Sequence, residues 1–385
     1  MYKHVFGYVV IVITLVVLTV AGSLVQPTTG YAQSAPATIQ PTKDGAMIVR
    51  PSGPYNLKKV AVGTNFVIAI LDNQTLVTWG SNRFWQTTIP FRLKTTLFTD
   101  VAAGARVAYA LDTTGQVSAW PAPIDCPLCV DGENVVPVAA QSGVTAISAN
   151  GSNAIALKSD GTVVVWGNNK FGQLNVPPSV TGITAVAAGA AHMLALKSDG
   201  TVIAWGRNHL GQLNVPYGMS GVTAIAAGVD HSLALLSTGE VVAWGSNNYG
   251  ESKAPGLRGV TAIAAGLYFS AALRNDGTVV AWGDNSDGNV SGLRSSVGAN
   301  VIGAGGVNSV VGYTSGKVRA YGARTFNALV SRTPTPSPYM SPTFTSTRTR
   351  TPSNTRTFTR TRTSSNTRTS SRTYTPTDTD TPTET

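Results

Sequence analysis

Gly221-Val222-Thr223-Ala224-Ile225-Ala226-Ala227-Gly228 opens a unit that continues with His231-Ser232-Leu233-Ala234-Leu235-Leu236 and then Val241-Val242-Ala243-Trp244-Gly245. Three short apolar runs, rich in Val, Ile and an aromatic, are separated by turn formers. They are too short for helices and read as strands. A fourth run follows the loop after Trp-Gly, as in Gln212-Leu213-Asn214-Val215-Pro216.

The unit recurs. Its aromatic slot falls at Trp79, Trp120, Trp166, Trp205, Trp244, Trp282 and Tyr321, in steps of 41, 46, 39, 39, 38 and 39 residues. A fixed period of this length marks a repeat architecture, and four strands per period suit one blade of a propeller. The predicted fold is all-β: a seven-bladed β-propeller of four-stranded blades. Asp160-Gly161, Asp199-Gly200 and Asp276-Gly277 read as hairpin turns, with Asn73-Gln74 in that slot of the first repeat. The Ala-Ala-Gly stretch suits close approach of strands to a central axis, and the Trp slot suits packing between blades. By spacing, Ile48-Val49-Arg50-Pro51 holds the slot of Asn175-Val176-Pro177, so residues near 47–51 are expected to help complete the first or last blade. Phe326-Asn327-Ala328-Leu329-Val330 could hold the same slot after Tyr321.

Composition agrees with a turn-rich β protein: charged residues are 12% of the chain, with 40 Gly and 21 Pro. Residues 1–32 read as a secretory signal peptide, with Lys3 and His4 before an apolar run and Gly30-Tyr31-Ala32 at its end. The run is also long enough to be a retained signal anchor, in which case the chain would meet the membrane. Either way the body is expected outside the cytoplasm. Residues 33–50 read as a linker and possible ring-closing strand, 51–332 as the propeller, and 333–385 as a disordered tail of Thr, Ser, Pro and Arg. Between Arg332 and Arg372 lie eight Arg, both ends included, and no acid. That tail reads as a solvated spacer, and it could contact anionic cell-wall polymer. Cys126 and Cys129 sit in the one long inter-repeat segment and are expected to form a local disulfide. No second Cys pair exists to complete a zinc site.

The string Gly-Val-Thr-Ala-Ile-Ala-Ala-Gly, His-Ser-Leu-Ala-Leu, Asp-Gly-Thr-Val-Val-Ala-Trp-Gly, Asn-x-x-Gly-Gln-Leu resembles the repeats of the regulator of chromosome condensation family over roughly residues 52–332. The resemblance implies a seven-bladed propeller. With a secretion signal, the chain looks most similar to a secreted bacterial branch that includes a β-lactamase inhibitor protein. That branch's repeat segments are similar to Arg207-Asn208-His209-Leu210-Gly211-Gln212-Leu213-Asn214-Val215-Pro216 and to Gln86-Thr87-Thr88-Ile89-Pro90. In the inhibitor, aromatics from the corresponding loops form the protein-binding face. Blade two departs from the pattern, with Pro121-Ala122-Pro123-Ile124-Asp125 in place of the Asn-x-x-Gly loop. Blade six has Asp284-Asn285-Ser286-Asp287, and blade seven is degenerate.

Chemistry is sparse. His192 and His231 share a slot held elsewhere by Phe66, Val107, Asn153, Phe269 and Asn308, which marks a packing position. Gly303-Ala304-Gly305-Gly306 imitates a dinucleotide loop, but no helix follows to bind pyrophosphate. The Asp284–Asp287 cluster lacks the spacing of a calcium loop. No nucleophile, acid and base converge, so the chain reads as non-enzymatic, with no cofactor and no nucleic-acid partner.

The residues that vary at fixed slots carry the functional expectation. The post-Trp-Gly loops offer Arg83, Phe84, Trp85, Lys170, Phe171, Arg207, His209 and Tyr249. The position two after the Gly offers Arg106, Asp230 and Tyr268. These are candidate partner-binding residues, since aromatic and Arg groups on adjacent loops suit binding hot spots. Two readings stay open for Phe171, Tyr249 and Phe326: display to a partner, or folding back as loop anchors. The expected function is a secreted or cell-surface protein that binds a protein partner through one loop face. Narrower and rival readings are an inhibitor of an extracellular enzyme such as a β-lactamase, and a carbohydrate-binding module, hydrolase or lyase.

Overall fold

A computed structural model describes residues 56–121 and 132–322, together with the backbone of 38–41, 47–50, 349–350 and 356–357. The expected signal segment, the Cys126–Cys129 disulfide and the Phe326–Val330 strand lie outside the described residues, as does most of the tail. The chain divides into two units, Met1–Arg332 and Thr333–Thr385. In the second unit the described strands β24 (Thr349–Arg350) and β25 (Arg356–Thr357) pair antiparallel.

In the first unit, β1 (Thr38–Pro41) and β2 (Met47–Arg50) precede seven antiparallel triplets. Blade one is β3 (Leu57–Val62), β4 (Phe66–Leu71) and β5 (Leu76–Gly80). Blade two is β6 (Phe98–Ala103), β7 (Ala108–Asp112) and β8 (Val117–Trp120). Blade three is β9 (Val144–Asn150), β10 (Asn153–Lys158) and β11 (Val163–Gly167). Blade four is β12 (Ile183–Ala188), β13 (His192–Lys197) and β14 (Val202–Gly206). Blade five is β15 (Val222–Ala227), β16 (His231–Leu236) and β17 (Val241–Gly245). Blade six is β18 (Val260–Ala265), β19 (Phe269–Arg274) and β20 (Val279–Gly283). Blade seven is β21 (Ala299–Gly305), β22 (Asn308–Tyr313) and β23 (Val318–Tyr321). The first strand of each blade neighbours the first strand of the next, and β21 neighbours β3, which closes the ring.

Each repeat motif has a local cause. The Thr of Gly-Val-Thr-Ala is a bulge residue: the register slips between Val222 and Ala224, and Thr223 Oγ1 donates to the Leu235 carbonyl. At the Asp-Gly hairpins, Gly200 has φ +78°, where a side chain is strained, and Asp199 accepts from the backbone and hydroxyl of Thr201. The Gly before each second strand is a space requirement. A Cβ on Gly189 would lie 2.2 Å from the His192 ring, and one on Gly266 would lie 2.1 Å from the Phe269 ring.

The Trp slot packs between blades. Trp205 joins Ile155 and Leu157 of the preceding blade, Trp244 joins Leu194 and Leu196, and Trp282 joins Leu233 and Leu235. Each indole also hydrogen-bonds backward. Trp120 donates to the Gln86 carbonyl, Trp166 to Glu133, Trp205 to Gln173, Trp244 to Gln212 and Trp282 to Glu251, at 2.9–3.2 Å. Trp79 Nε1 has no partner among the described residues. In the last blade Tyr321 takes the slot, and the short helix α1 (Asn289–Arg294) lays Gly292 against its ring.

The expected four-stranded blade needs correction. Among the described residues, six blades have three hydrogen-bonded strands, and blade seven has five, in the order β1-β2-β23-β22-β21. The Gln-Leu-Asn-Val-Pro stretch is an ordered loop. Its backbone donors are satisfied within the loop: Leu213 N–H donates to Asn208 Oδ1 and Leu174 N–H to Asn169 Oδ1, while Asn214 and Val215 N–H donate to the Gly211 and Leu213 carbonyls. With those donors satisfied locally, no ladder is required. Blade seven gains its extra strands from the N-terminal side, with Ile48 opposite Arg319 and Val49 opposite Val318.

The ring encloses a cavity of about 230 Å³, lined by the first strands. Its lining is Val, Ile, Ala and Gly apart from Ser148 and Asn150. Asn150 reaches two blades along, its amide lying 3.4 Å from the Gly228 carbonyl.

Candidate functional site: the loop face

The turn between first and second strands and the loop after the third strand lie on the same side of each blade. Ser81 N–H donates to the Asn65 carbonyl, Arg207 N–H to Ala191, Ser246 N–H to Asp230 and Asp284 N–H to Tyr268. Both variable slots found in the sequence therefore open onto one face of the ring.

The loops on this face are rigid. In blade three, Gln173 is buried and its Oε1 accepts from Phe171 N–H at 2.8 Å. Gln86 does the same for Phe84 N–H, Gln212 for Leu210 N–H and Glu251 for Tyr249 N–H. The Asn that opens the loop bridges to its far end: Asn169 Nδ2 donates to Asn175 Oδ1, and Asn208 Nδ2 to Asn214 Oδ1. The Asn-x-x-Gly-Gln-Leu-Asn motif is thus a self-bonded turn that holds its two tip residues outward. Sequence reasoning took the recurring Gln only as part of a family string; its appearance seven residues after Trp79, Trp166 and Trp205 was the available signal.

The tips do not stand alone. At four junctions a tip packs against a residue of the next blade. Phe84 of blade one lies between the guanidiniums of Arg83, 5.6 Å away, and Arg106 of blade two, 5.8 Å away. Arg106 also pairs with buried Glu133 at 3.4 Å. Phe171 of blade three lies under Arg207 of blade four at 4.6 Å, with Lys170 at 5.6 Å. His209 of blade four approaches Asp230 of blade five at 4.0 Å, and Gln212 donates to the same carboxylate at 3.0 Å. Tyr249 of blade five and Tyr268 of blade six have ring centroids 4.6 Å apart.

Exposure divides the aromatics. Trp85 is 49% exposed, Phe171 40% and Tyr249 53%, whereas Phe84 and Tyr268 are half-buried. Phe171 and Tyr249 are therefore displayed as well as packed. Trp85 has φ +64°, in the left-handed region. Phe91 and Tyr217, each following the Pro that leads to the next blade, are more exposed still and were not singled out from sequence. Blade two has no Asn-x-x-Gly turn, yet Glu133 takes the acceptor place for Trp166, and its carbonyl also receives the Tyr109 hydroxyl. Burial pushes that hydroxyl's pKa far up, and the Glu133 charge adds to the rise.

Below the face, the His slot bridges blades. His192 Nε2 lies 3.0 Å from Ser232 Oγ, and His231 Nε2 lies 2.9 Å from Ser270 Oγ. Ser232 Oγ donates to the Gln212 carbonyl and Ser270 Oγ to the Glu251 carbonyl. Each hydroxyl has one proton and has used it, so each His donates from Nε2 and leaves Nδ1 unprotonated. Both Nδ1 atoms are buried without a partner. Burial holds His192 down to about 3, helped by the nearby His231, and holds His231 down to about 4 against the pull of Glu251. Asn153 and Asn308 bridge from the same slot, to the carbonyls of Ala190 and Thr64. This arrangement is structural. Among the described residues there is no group of three or more His, Cys, Asp or Glu that could hold a metal. No helix among them is long and apolar enough to cross a membrane.

Residues 144–173, 183–212, 222–251 and 260–289 match the model of the regulator of chromosome condensation (RCC1) repeat. The match falls on blades three to six and ends at the buried Gln173, Gln212, Glu251 and Asn289. The chain is 27% identical over 173 residues to protein pim1 of Schizosaccharomyces pombe, covering 38% of this chain and 30% of that one. The matched part thus spans less than a third of that relative. Among solved structures, the CRINKLY WD40 ectodomain of the Arabidopsis thaliana receptor kinase ACR4 superposes with a TM-score of 0.54 at 19% identity, over 70% of this chain and 96% of that one. Prp20p of Saccharomyces cerevisiae, whose structure was described with its binding to Gsp1p and histones, gives 0.51 at 18% identity, over 69% and 82%. Human WBSCR16 gives 0.53 at 18%, over 69% and 87%. These likenesses support an RCC1-repeat propeller fold.

Proposed function

We propose that this chain is a non-enzymatic propeller that binds a protein partner through its loop face, at the cell exterior. The observation that carries the reading is the set of self-bonded loops whose tips pack across blade junctions. Rigid tips lose little freedom on binding, which favours affinity for a preformed surface. Aromatic and Arg side chains at such positions are typical interface anchors. The central cavity is lined by Val, Ile, Ala and Gly, with Ser148 and Asn150 as its polar side chains. Without an acid or base beside Ser148 among the described residues, this lining supports a binding over a hydrolytic role. The exterior location rests on the N-terminal sequence and, more weakly, on the likeness to a receptor-kinase ectodomain. Residues 1–32 as signal, 33–50 as linker, 51–332 as propeller and 333–385 as tail remain the proposed organisation.

The test is a pull-down of secreted and surface proteins with the full chain as bait, beside a variant carrying Phe84→Ala, Trp85→Ala and Tyr268→Ala. The variant should keep its thermal midpoint within a few degrees and lose the captured partner. Capture that survives in the folded variant refutes the face assignment.

A further inference from the structure

We infer that the half of the loop face formed by blades one to four is built for an acidic protein segment, in which carboxylates lie beside apolar side chains. This inference rests on the loop-face reading above and names the partner chemistry.

Two junctions on this half share one composition. At blades one and two, Phe84 is flanked by Arg83 and Arg106; at blades three and four, Phe171 is flanked by Lys170 and Arg207. In each, an aromatic ring held by a rigid loop carries cations on its flanks. Among the described residues, the acid at the first junction is Glu133, which is 1% exposed and paired with Arg106, so its charge is withdrawn from the surface. The other half differs in sign: Asp230, Asp284 and Asp287 lie at its tips, with Tyr249 stacked on Tyr268.

Arg83 and Arg207 can each cover a ring with the guanidinium face and present N–H groups to fork a carboxylate, whereas Arg106 is engaged with Glu133. A partner that fits must therefore supply carboxylates at the edges and apolar groups against the rings. A phosphate backbone would satisfy the cations alone and leave the exposed part of the Phe171 ring, 40% exposed beside Arg207, without an apolar partner. The acidic half repels a uniformly anionic polymer and admits a short acidic patch, which favours protein over nucleic acid.

The experiment measures fluorescence anisotropy of the full chain with three labelled probes at low salt: a peptide of Asp, Glu and Leu, its Asn/Gln/Leu isostere, and a single-stranded oligonucleotide of equal charge. The acidic peptide should bind best and weaken as salt rises. Two variant sets, each checked for an unchanged melt, dissect it: Arg83→Gln with Lys170→Gln and Arg207→Gln, and Phe84→Ala with Phe171→Ala. Each set should weaken the acidic peptide by about tenfold or more, the size expected when hot-spot contacts are removed. Asp284→Asn with Asp287→Asn should leave it unchanged or tighter. No binding of the acidic peptide, or equal binding of the oligonucleotide, overturns the proposal. Preferred binding of the isostere, lost in the Phe set, overturns the acidic specificity and leaves the loop face standing. Binding of the acidic peptide that survives both sets overturns the proposal and counts against the face itself. Loss in the charge set alone overturns the joint role of ring and cation.

Discussion

The indole Nε1 of Trp205 donates to the carbonyl oxygen of Gln173 at 2.9 Å, one blade back and 32 residues earlier. One side chain thus packs a junction and anchors the base of the neighbouring post-Trp-Gly loop. Trp205→Ala should cost about 3–5 kcal/mol, as expected for emptying a large aromatic site. Trp205→Phe keeps most of the packing and should cost about 1 kcal/mol for the lost hydrogen bond. Denaturant unfolding of the two variants checks both values. Equal losses would mean that the hydrogen bond, not the packing, dominates.

The buried Gln sets loop rigidity more than ring stability. Gln173→Ala removes the acceptor for Phe171 N–H. Faster amide hydrogen exchange is expected within 169–175, with a melt lowered by only about 1 kcal/mol in stability. Unchanged exchange there would show that the Asn169 bridges suffice on their own.

Acid should loosen the ring at blades four to six. The folded-state pKa of His192 is about 3 and that of His231 about 4, both below the ordinary 6.5. The unfolded chain therefore binds more protons than the folded one as pH drops below 6.5. Stability from these two groups is full above pH 6.5 and falls progressively toward pH 4 and pH 3. His192→Phe with His231→Phe uses the side chain that blades one and six already carry in that slot. Thermal melts from pH 7 to pH 4 should fall less steeply for this variant. An identical slope would assign the acid sensitivity to other groups.

Ring closure depends on the pairing of β2 with β23 and on Asn308 Nδ2 bound to the Thr64 carbonyl. Deleting residues 33–52 strips two strands from the last sheet and exposes the β23 edge. A lowered melting temperature and a tendency to associate through that edge are expected, checked by calorimetry and light scattering. No change would mean that the β21–β3 junction closes the ring unaided.

The scaffold was legible because it repeats. Trp205 and Trp244 announce the period, and Gly189 and Gly228 are explained once His192 and His231 are seen lying on them. Gln212–Pro216 reads as a strand because apolar alternation cannot reveal that Asn208 Oδ1 captures the Leu213 N–H and that Asn214 and Val215 N–H turn back to the Gly211 and Leu213 carbonyls. The site was legible by slot and not by contact. Phe171 and Arg207 stand 36 residues apart, and nothing in either repeat says that they touch. Their meeting is a product of ring geometry, as is the burial of Glu133 after the long inter-repeat segment. Phe91 and Tyr217 carry no sequence signal of their own, because each lies just past the Pro that ends the run read as a strand.

At four junctions of the loop face a tip is completed by the following blade, so under the proposed binding role the unit of recognition is a pair of adjacent repeats. A single substitution at a tip or at the slot two after the Gly rewrites one junction and leaves the others intact. Reordering or duplicating whole repeats has a different effect, because it creates junctions that no earlier ring possessed while each blade keeps its own fold. Seven interchangeable modules therefore supply many more composite surfaces than seven. A chain of this kind can change what it recognises by shuffling its order, without first surviving a loss of stability.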